Sequence, residues 1–103
     1  MLDLKNLTIK KAHEHLIKGD FSARELAESY LENISQKNPE VNAYVEVFDD
    51  ALNQAKEADK KIAKHKEMVP MLTGIPLAIK DNILIQGKIA SCSSRILENY
   101  TAA

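Results

Sequence analysis

No feature of this sequence restricts its folding more than the change of pattern near Val69 and Pro70. Before it, charged and apolar residues alternate at helical spacing. Beyond it charge almost vanishes, and Gly74-Ile75-Pro76-Leu77-Ala78-Ile79 runs uncharged up to Lys80-Asp81-Asn82. A short apolar run entered through a turn reads as a buried strand, with Pro76 at its beginning or where no ladder donor is required. A helical first part followed by strands makes the expected fold class α/β.

The helical part, about residues 8–67, carries its own punctuation. Thr8 caps a first helix with Ile9, Ala12, Leu16 and Ile17 on one side, and Gly19 ends it. Ser22 with Glu25 forms a capping box, and Phe21 with Leu26 a hydrophobic staple. The apolar stripe of this second helix, from Ala23 through Leu26, Ala27, Tyr30 and Leu31 to Ile34, carries it to about Ser35, before Asn38 and Pro39 break it. Ala43–Phe48 reads as a strand. Asp49 and Asp50 suit the positive end of a third helix, about Ala51 to Lys66, with Ala51, Leu52, Ala55, Ala58 and Ile62 inward and a solvated Lys- and Glu-rich outer face. The strand and lysine part covers about residues 72–100. It includes Ile83–Ile85 as a second extended stretch, a turn at Gln86-Gly87-Lys88, and a loop from Ser91 that enters a short helical turn by Leu97.

With 103 residues and 45% apolar content the chain can bury one modest core, which predicts one domain or part of one. A net charge of -1 provides no electrostatic footprint for nucleic acid or an anionic membrane. The apolar run from Ile75 to Ile79 is too short to span a bilayer and the amino terminus has no signal-peptide core, so the cytoplasm is the expected compartment. One cysteine, Cys92, cannot form an internal disulfide, and three scattered histidines have no metal-ligand spacing, so neither a metal nor a cofactor is expected in this chain. Cys92 reads as a reduced, semi-buried thiol, since no histidine follows it to act as a base. His13, His15 and His65 read as surface residues, and Ser91, Ser93 and Ser94 as turn and capping residues.

Lys80 closes the most apolar segment and has two readings. An apolar strand often ends in a charged residue that surfaces and pairs with its neighbour, here Asp81. Alternatively the strand delivers the lysine into a site; burying an ammonium is costly and favours the neutral amine, which suits a general base or proton relay.

The stretch Leu72-Thr73-Gly74-Ile75-Pro76-Leu77-Ala78-Ile79-Lys80-Asp81-Asn82 resembles the Gly-Ile-Pro-x-x-x-Lys-Asp motif of amidase-signature enzymes, and Gly87, Cys92, Ser93 and Ser94 fall where that family continues. Ser94-Arg95-Ile96-Leu97-Glu98-Asn99-Tyr100 is similar to a run in the A subunits of the tRNA-dependent branch, the glutamyl-tRNA(Gln) amidotransferases. Phe21–Leu26 and Asn42-Ala43-Tyr44 also resemble the start of that branch, so the resemblance covers nearly the whole chain. It implies the amino-terminal part of the amidase-signature fold: outer helices plus the first strands of a mixed sheet covered by helices. It also implies a Ser–cis-Ser–Lys triad in which Lys80 is the catalytic lysine that activates the nucleophilic serine through the bridging one. The substrate implied is glutamine, whose ammonia passes to a partner. Partners implied are the B and C subunits of a heterotrimer. The B subunit would hold most of the tRNA contact and use ATP and magnesium to convert misacylated Glu-tRNA(Gln) to Gln-tRNA(Gln).

Both family serines lie in a downstream Gly- and Ser-rich segment, whereas Gly19, Gly74 and Gly87 are the only glycines here and none adjoins another. No oxyanion loop can be built from them. The chain is therefore expected to be an amino-terminal fragment of the enzyme, inactive alone, with apolar faces exposed and only marginal stability. A general amidase acting on small amides and a non-catalytic interaction module are the alternative readings. A cooperative thermal transition with native-like packing in the isolated chain would count against the fragment reading.

Overall fold

A computed structural model describes residues 2–92 and 94–103. It divides into two compact units, one comprising the residues up to Asn42 together with Val47–Pro76, the other Ala43–Glu46 with Leu77–Ala103. The first holds three helices, α1 (Ile9–Lys18), α2 (Ala23–Val41) and α3 (Ala51–His65).

Each start and stop of α1 has a chemical cause. Thr8 Oγ1 accepts the Lys11 N–H at 3.2 Å. At the other end Gly19 adopts φ 81°, where its N–H reaches the Leu16 carbonyl at 3.3 Å and the Asp20 N–H the His15 carbonyl at 3.0 Å. That pair of bonds satisfies two carbonyls the helix would leave unpaired.

The first turn of α2 is more completely satisfied. Ser22 Oγ accepts the Glu25 N–H at 3.0 Å, the capping contact the sequence calls for. The two preceding donors go to Asp59 of α3: its carboxylate accepts the Ala23 N–H at 2.6 Å and the Arg24 N–H at 3.1 Å. A carboxylate at the positive end of a helix makes charge-assisted bonds, so Asp59 links α3 to α2 through polar chemistry at the edge of the core. Around it Ala12, Leu16, Phe21, Ala23, Leu26, Ala27, Ala55, Ile62 and Val69 are buried, with Leu26 1% exposed and Ala23 fully covered. Phe21 also packs on the His15 ring, the centroids 5.4 Å apart.

Gly74, near the end of this unit, passes close against the helices. Its φ is 81°, and a Cβ there would lie 3.0 Å from the Ala23 Cβ, 3.3 Å from Leu16 and 3.4 Å from Ile62. Only a residue without a side chain allows both the left-handed turn and this approach.

The second unit has no helix longer than the 3₁₀ turn Arg95–Leu97, whose first turn is capped by Ser94 Oγ accepting the Ile96 N–H at 3.3 Å. Residues 87–90 run antiparallel to 100–102. Gly87 N–H donates to the Ala102 carbonyl at 2.8 Å, Ala102 N–H to Lys88 at 2.9 Å, and Ala90 N–H to Tyr100 at 3.0 Å. Ala90, Ser91 and Ala102 are buried there.

Three expectations need correction. Helix α2 runs on to Val41 with Pro39 inside it, rather than ending near Ser35. A proline in the last turn forfeits one ladder bond, and Asn42, at φ 55°, closes the end by donating to the Asn38 carbonyl at 2.6 Å. Second, the expected strands Ala43–Phe48, Gly74–Ile79 and Ile83–Ile85 do not form; among the described residues the single β contact is the bridge between Ile89 and Thr101. The architecture is mostly helical, and the described residues form no strand of the mixed sheet that the α/β expectation called for. A strand needs a neighbouring backbone in ladder register, and among the described residues that register is met only where Ile89 faces Thr101. Third, the apolar run is not buried: Leu77 is 63% exposed and Ile79 46%.

Replacing Asp59 by Ala should lower stability by about 1–3 kcal/mol, since two donors of the first turn of α2, that of Ala23 part-buried, lose their acceptor, with Asp59→Asn intermediate. Gly74→Ala should cost a similar amount, about 1–3 kcal/mol, from the strained φ and the contact with Ala23. Urea unfolding followed by far-UV circular dichroism measures both, and unchanged midpoints would refute the two assignments.

Candidate active site

Lys80 lies in the second unit, directly after the uncharged run that ends at Ile79, and is exposed. It is the sole lysine, arginine or histidine between Val69 and Gly87. Its carbonyl accepts the Ile83 N–H at 3.0 Å, so the chain turns immediately after it. No hydrogen bond or ion pair to its ammonium is found among the described residues. Two expectations change accordingly: the segment does not desolvate the amine, and Asp81 is not paired with it.

Asp81 instead faces Ser91. Its carboxylate accepts the Ser91 N–H at 3.2 Å and, through the other oxygen, the Ser91 hydroxyl. The Asp81 carbonyl accepts the Cys92 N–H at 3.3 Å. Ser91 is 5% exposed and is the buried polar residue of this unit. A buried hydroxyl requires a partner, and a carboxylate gives it an acceptor stronger than a neutral one. Sequence reading took Ser91 for a turn residue and missed this link. Its only trace was a hydroxyl-bearing residue ten positions after an acid, which no periodicity distinguishes.

The remaining candidates separate from this cluster. Cys92 is exposed, not semi-buried, and adopts φ 51°, a left-handed conformation uncommon for a residue with a Cβ. Ser94 acts as the expected cap, and Ser93 lies outside the described residues. The histidines belong to the other unit: His65 is exposed, His13 is half-buried, and His15 is half-buried with its Nδ1 2.7 Å from Asp20 Oδ2. Among the described residues no three His, Cys, Asp or Glu side chains are grouped to hold a metal ion. No helix among them is long and apolar enough to cross a membrane.

Comparison with known proteins adds identity to the geometry. A model of the amidase family matches residues 25–103. The A subunit of a glutamyl-tRNA(Gln) amidotransferase from Thermoanaerobacter pseudethanolicus is 45% identical over 100 residues, covering 96% of this chain and 20% of the relative. The corresponding A subunit of Thermosynechococcus vestitus is 41% identical over 93 residues, 89% of this chain and 19% of the relative. A second A subunit, from Clostridium acetobutylicum, is 34% identical over 100 residues, 96% and 21% of the two chains. This chain thus spans about a fifth of the length of the curated relatives it matches, and the part matched is their amino-terminal region.

With Cys92 on the surface, a thiol reagent such as Ellman's should label it in the native chain within about tenfold of the unfolded rate. Stronger protection would place the thiol in an interior this structure does not have.

Proposed function

Since this chain belongs to the amidase family, we propose that it forms the amino-terminal segment of the glutamine-hydrolysing subunit of a glutamyl-tRNA(Gln) amidotransferase, with Lys80 as the relay base. The observation that carries this reading is 45% identity, over 96% of the chain, to a protein of that name. The position of Lys80 within Gly74-Ile75-Pro76-Leu77-Ala78-Ile79-Lys80-Asp81, the family's lysine motif, supports its role.

Neutral amine chemistry explains why a lysine serves. A serine hydroxyl is a weak nucleophile near neutral pH, and an amine connected to it through a second hydroxyl can accept its proton as the serine oxygen attacks the carboxamide carbon of glutamine. The same proton then goes to the departing nitrogen, ammonia leaves, and water hydrolyses the acyl-enzyme. The two serines and the oxyanion donors belong to chain beyond these residues, so the segment alone is inactive. Both units belong to one amidase domain, and in it Gly74–Ile79 pairs with strands of a mixed sheet covered by helices, which withdraws Lys80 from water.

The released ammonia serves a partner, the B subunit, which holds most of the tRNA contact and uses ATP and magnesium on Glu-tRNA(Gln). With the C subunit these chains make a heterotrimer, and the compartment is the cytoplasm. This chain contributes no nucleotide or metal site to that assembly.

In the full-length protein assembled with its partners, Lys80→Ala should lower glutamine hydrolysis on the order of 10⁴-fold or more, while transamidation fed with free ammonia persists. Lys80→Arg should not rescue it, because a guanidinium does not release its proton. Glutaminase activity within a few-fold of the parent in Lys80→Ala would remove Lys80 from the mechanism. Efficient hydrolysis of simple amides without partner subunits, in place of transamidation, would favour a general amidase.

A further inference from the structure

Past Lys80 the chain continues through Asp81, which is tethered by both its side chain and its backbone. Its carboxylate takes both the backbone N–H and the hydroxyl of Ser91, and its carbonyl takes the Cys92 N–H. The far side of this link is itself fixed. Ser91 follows Ala90, whose N–H donates to the Tyr100 carbonyl, and both Ala90 and Ser91 are buried. On the near side the Ile83 N–H closes the turn onto the Lys80 carbonyl. The backbone of Lys80 is therefore held through its immediate neighbour to the paired segments 87–90 and 100–102, while its side chain stays exposed.

A long, flexible lysine side chain relays a proton well only when its Cα is fixed, because each rotamer displaces the amine by ångströms and proton transfer needs hydrogen-bond distance. The surroundings of Lys80 provide that fixity through one pair of side chains.

We propose that Asp81 and Ser91 form a clamp that positions the relay lysine, Asp81 acting as the acceptor and Ser91 as its donor. The inference rests on the reading of Lys80 as the base. Neither residue touches substrate; both act through Lys80. The Asp81–Ser91 pair joins residues ten positions apart, so breaking it frees the turn after Lys80 to shift without removing any reacting group.

The test is a set of variants in the full-length protein with its partner subunits, assayed for glutamine hydrolysis. Asp81→Asn and Ser91→Ala should each lower kcat about 10- to 100-fold, the penalty of misplacing a catalytic group by roughly an ångström, with KM for glutamine little changed. Ser91→Thr, which keeps the hydroxyl, should recover most of the loss. In a Lys80→Ala background neither substitution should lower the residual rate further, because a residue acting through Lys80 has nothing left to position. A merely structural role would reduce the rate in both backgrounds, and thermal unfolding of each variant checks that the fold is retained. Losses that multiply in the Lys80→Ala background, or a raised KM at unchanged kcat, overturn the clamp while leaving the relay lysine intact. Near-parental activity in Lys80→Ala alone overturns the lysine reading and the clamp with it.

Discussion

The helical unit depends on how the amino terminus of α2 is satisfied. A helix start leaves donors without partners, and in α2 the donors of Ala23 and Arg24 point to Asp59 while that of Glu25 points to Ser22. Ser22 is local and would cap an isolated helix. Asp59 is 36 residues away from Ala23, so its bond exists only when α3 lies against α2. The same turn contributes Ala23, fully buried, to the place where Gly74 passes. Polar satisfaction and close packing thus meet at one point: a larger residue at 23 or 74 would push apart the contact that the Asp59 bonds draw together.

The two units differ in how they are held, and the difference follows from where their hydrogen bonds close. Helices complete their ladders within a few residues and need other elements only to cover an apolar stripe. The second unit relies on pairing between residues 87–90 and 100–102 and on the link between Asp81 and Ser91, each of which joins positions distant along the chain. Its apolar side chains outnumber the cover available within it, with Leu77, Leu84 and Ile96 all exposed, Ile96 by 93%. Such a surface resembles a domain interior opened on one side.

That division bears on the chemistry proposed for Lys80. A relay amine must be fixed in place, short of water and in reach of a hydroxyl. The residues around Lys80 meet the first condition through Asp81 and Ser91, whereas the amine itself remains exposed and Ser91 is engaged with Asp81. Desolvation and the serine partners are properties of the larger amidase domain proposed here, in which the uncharged segment before Lys80 acquires neighbours.

Local chemistry was legible in the residues themselves. Thr8, Gly19 and Ser22 mark helix boundaries because capping is decided by one residue and the three or four beside it, and the motif around Lys80 pointed to the family through residue identities alone. Pro39 misled, since a proline signals a break by its own chemistry, while the α2 terminus was decided by Asn42 taking the left-handed turn. The three apolar and β-branched segments misled for another reason: a strand is a relation between two backbones, and hydrophobic pattern says nothing of whether the second is present. Asp59 on α2, Gly74 against Ala23 and Asp81 on Ser91 belong to the same class, contacts between residues whose separation along the chain hides them. Sequence determined what each segment would be by itself, and tertiary structure alone decided which donors found which acceptors, because those partners meet only once the chain has folded back on itself.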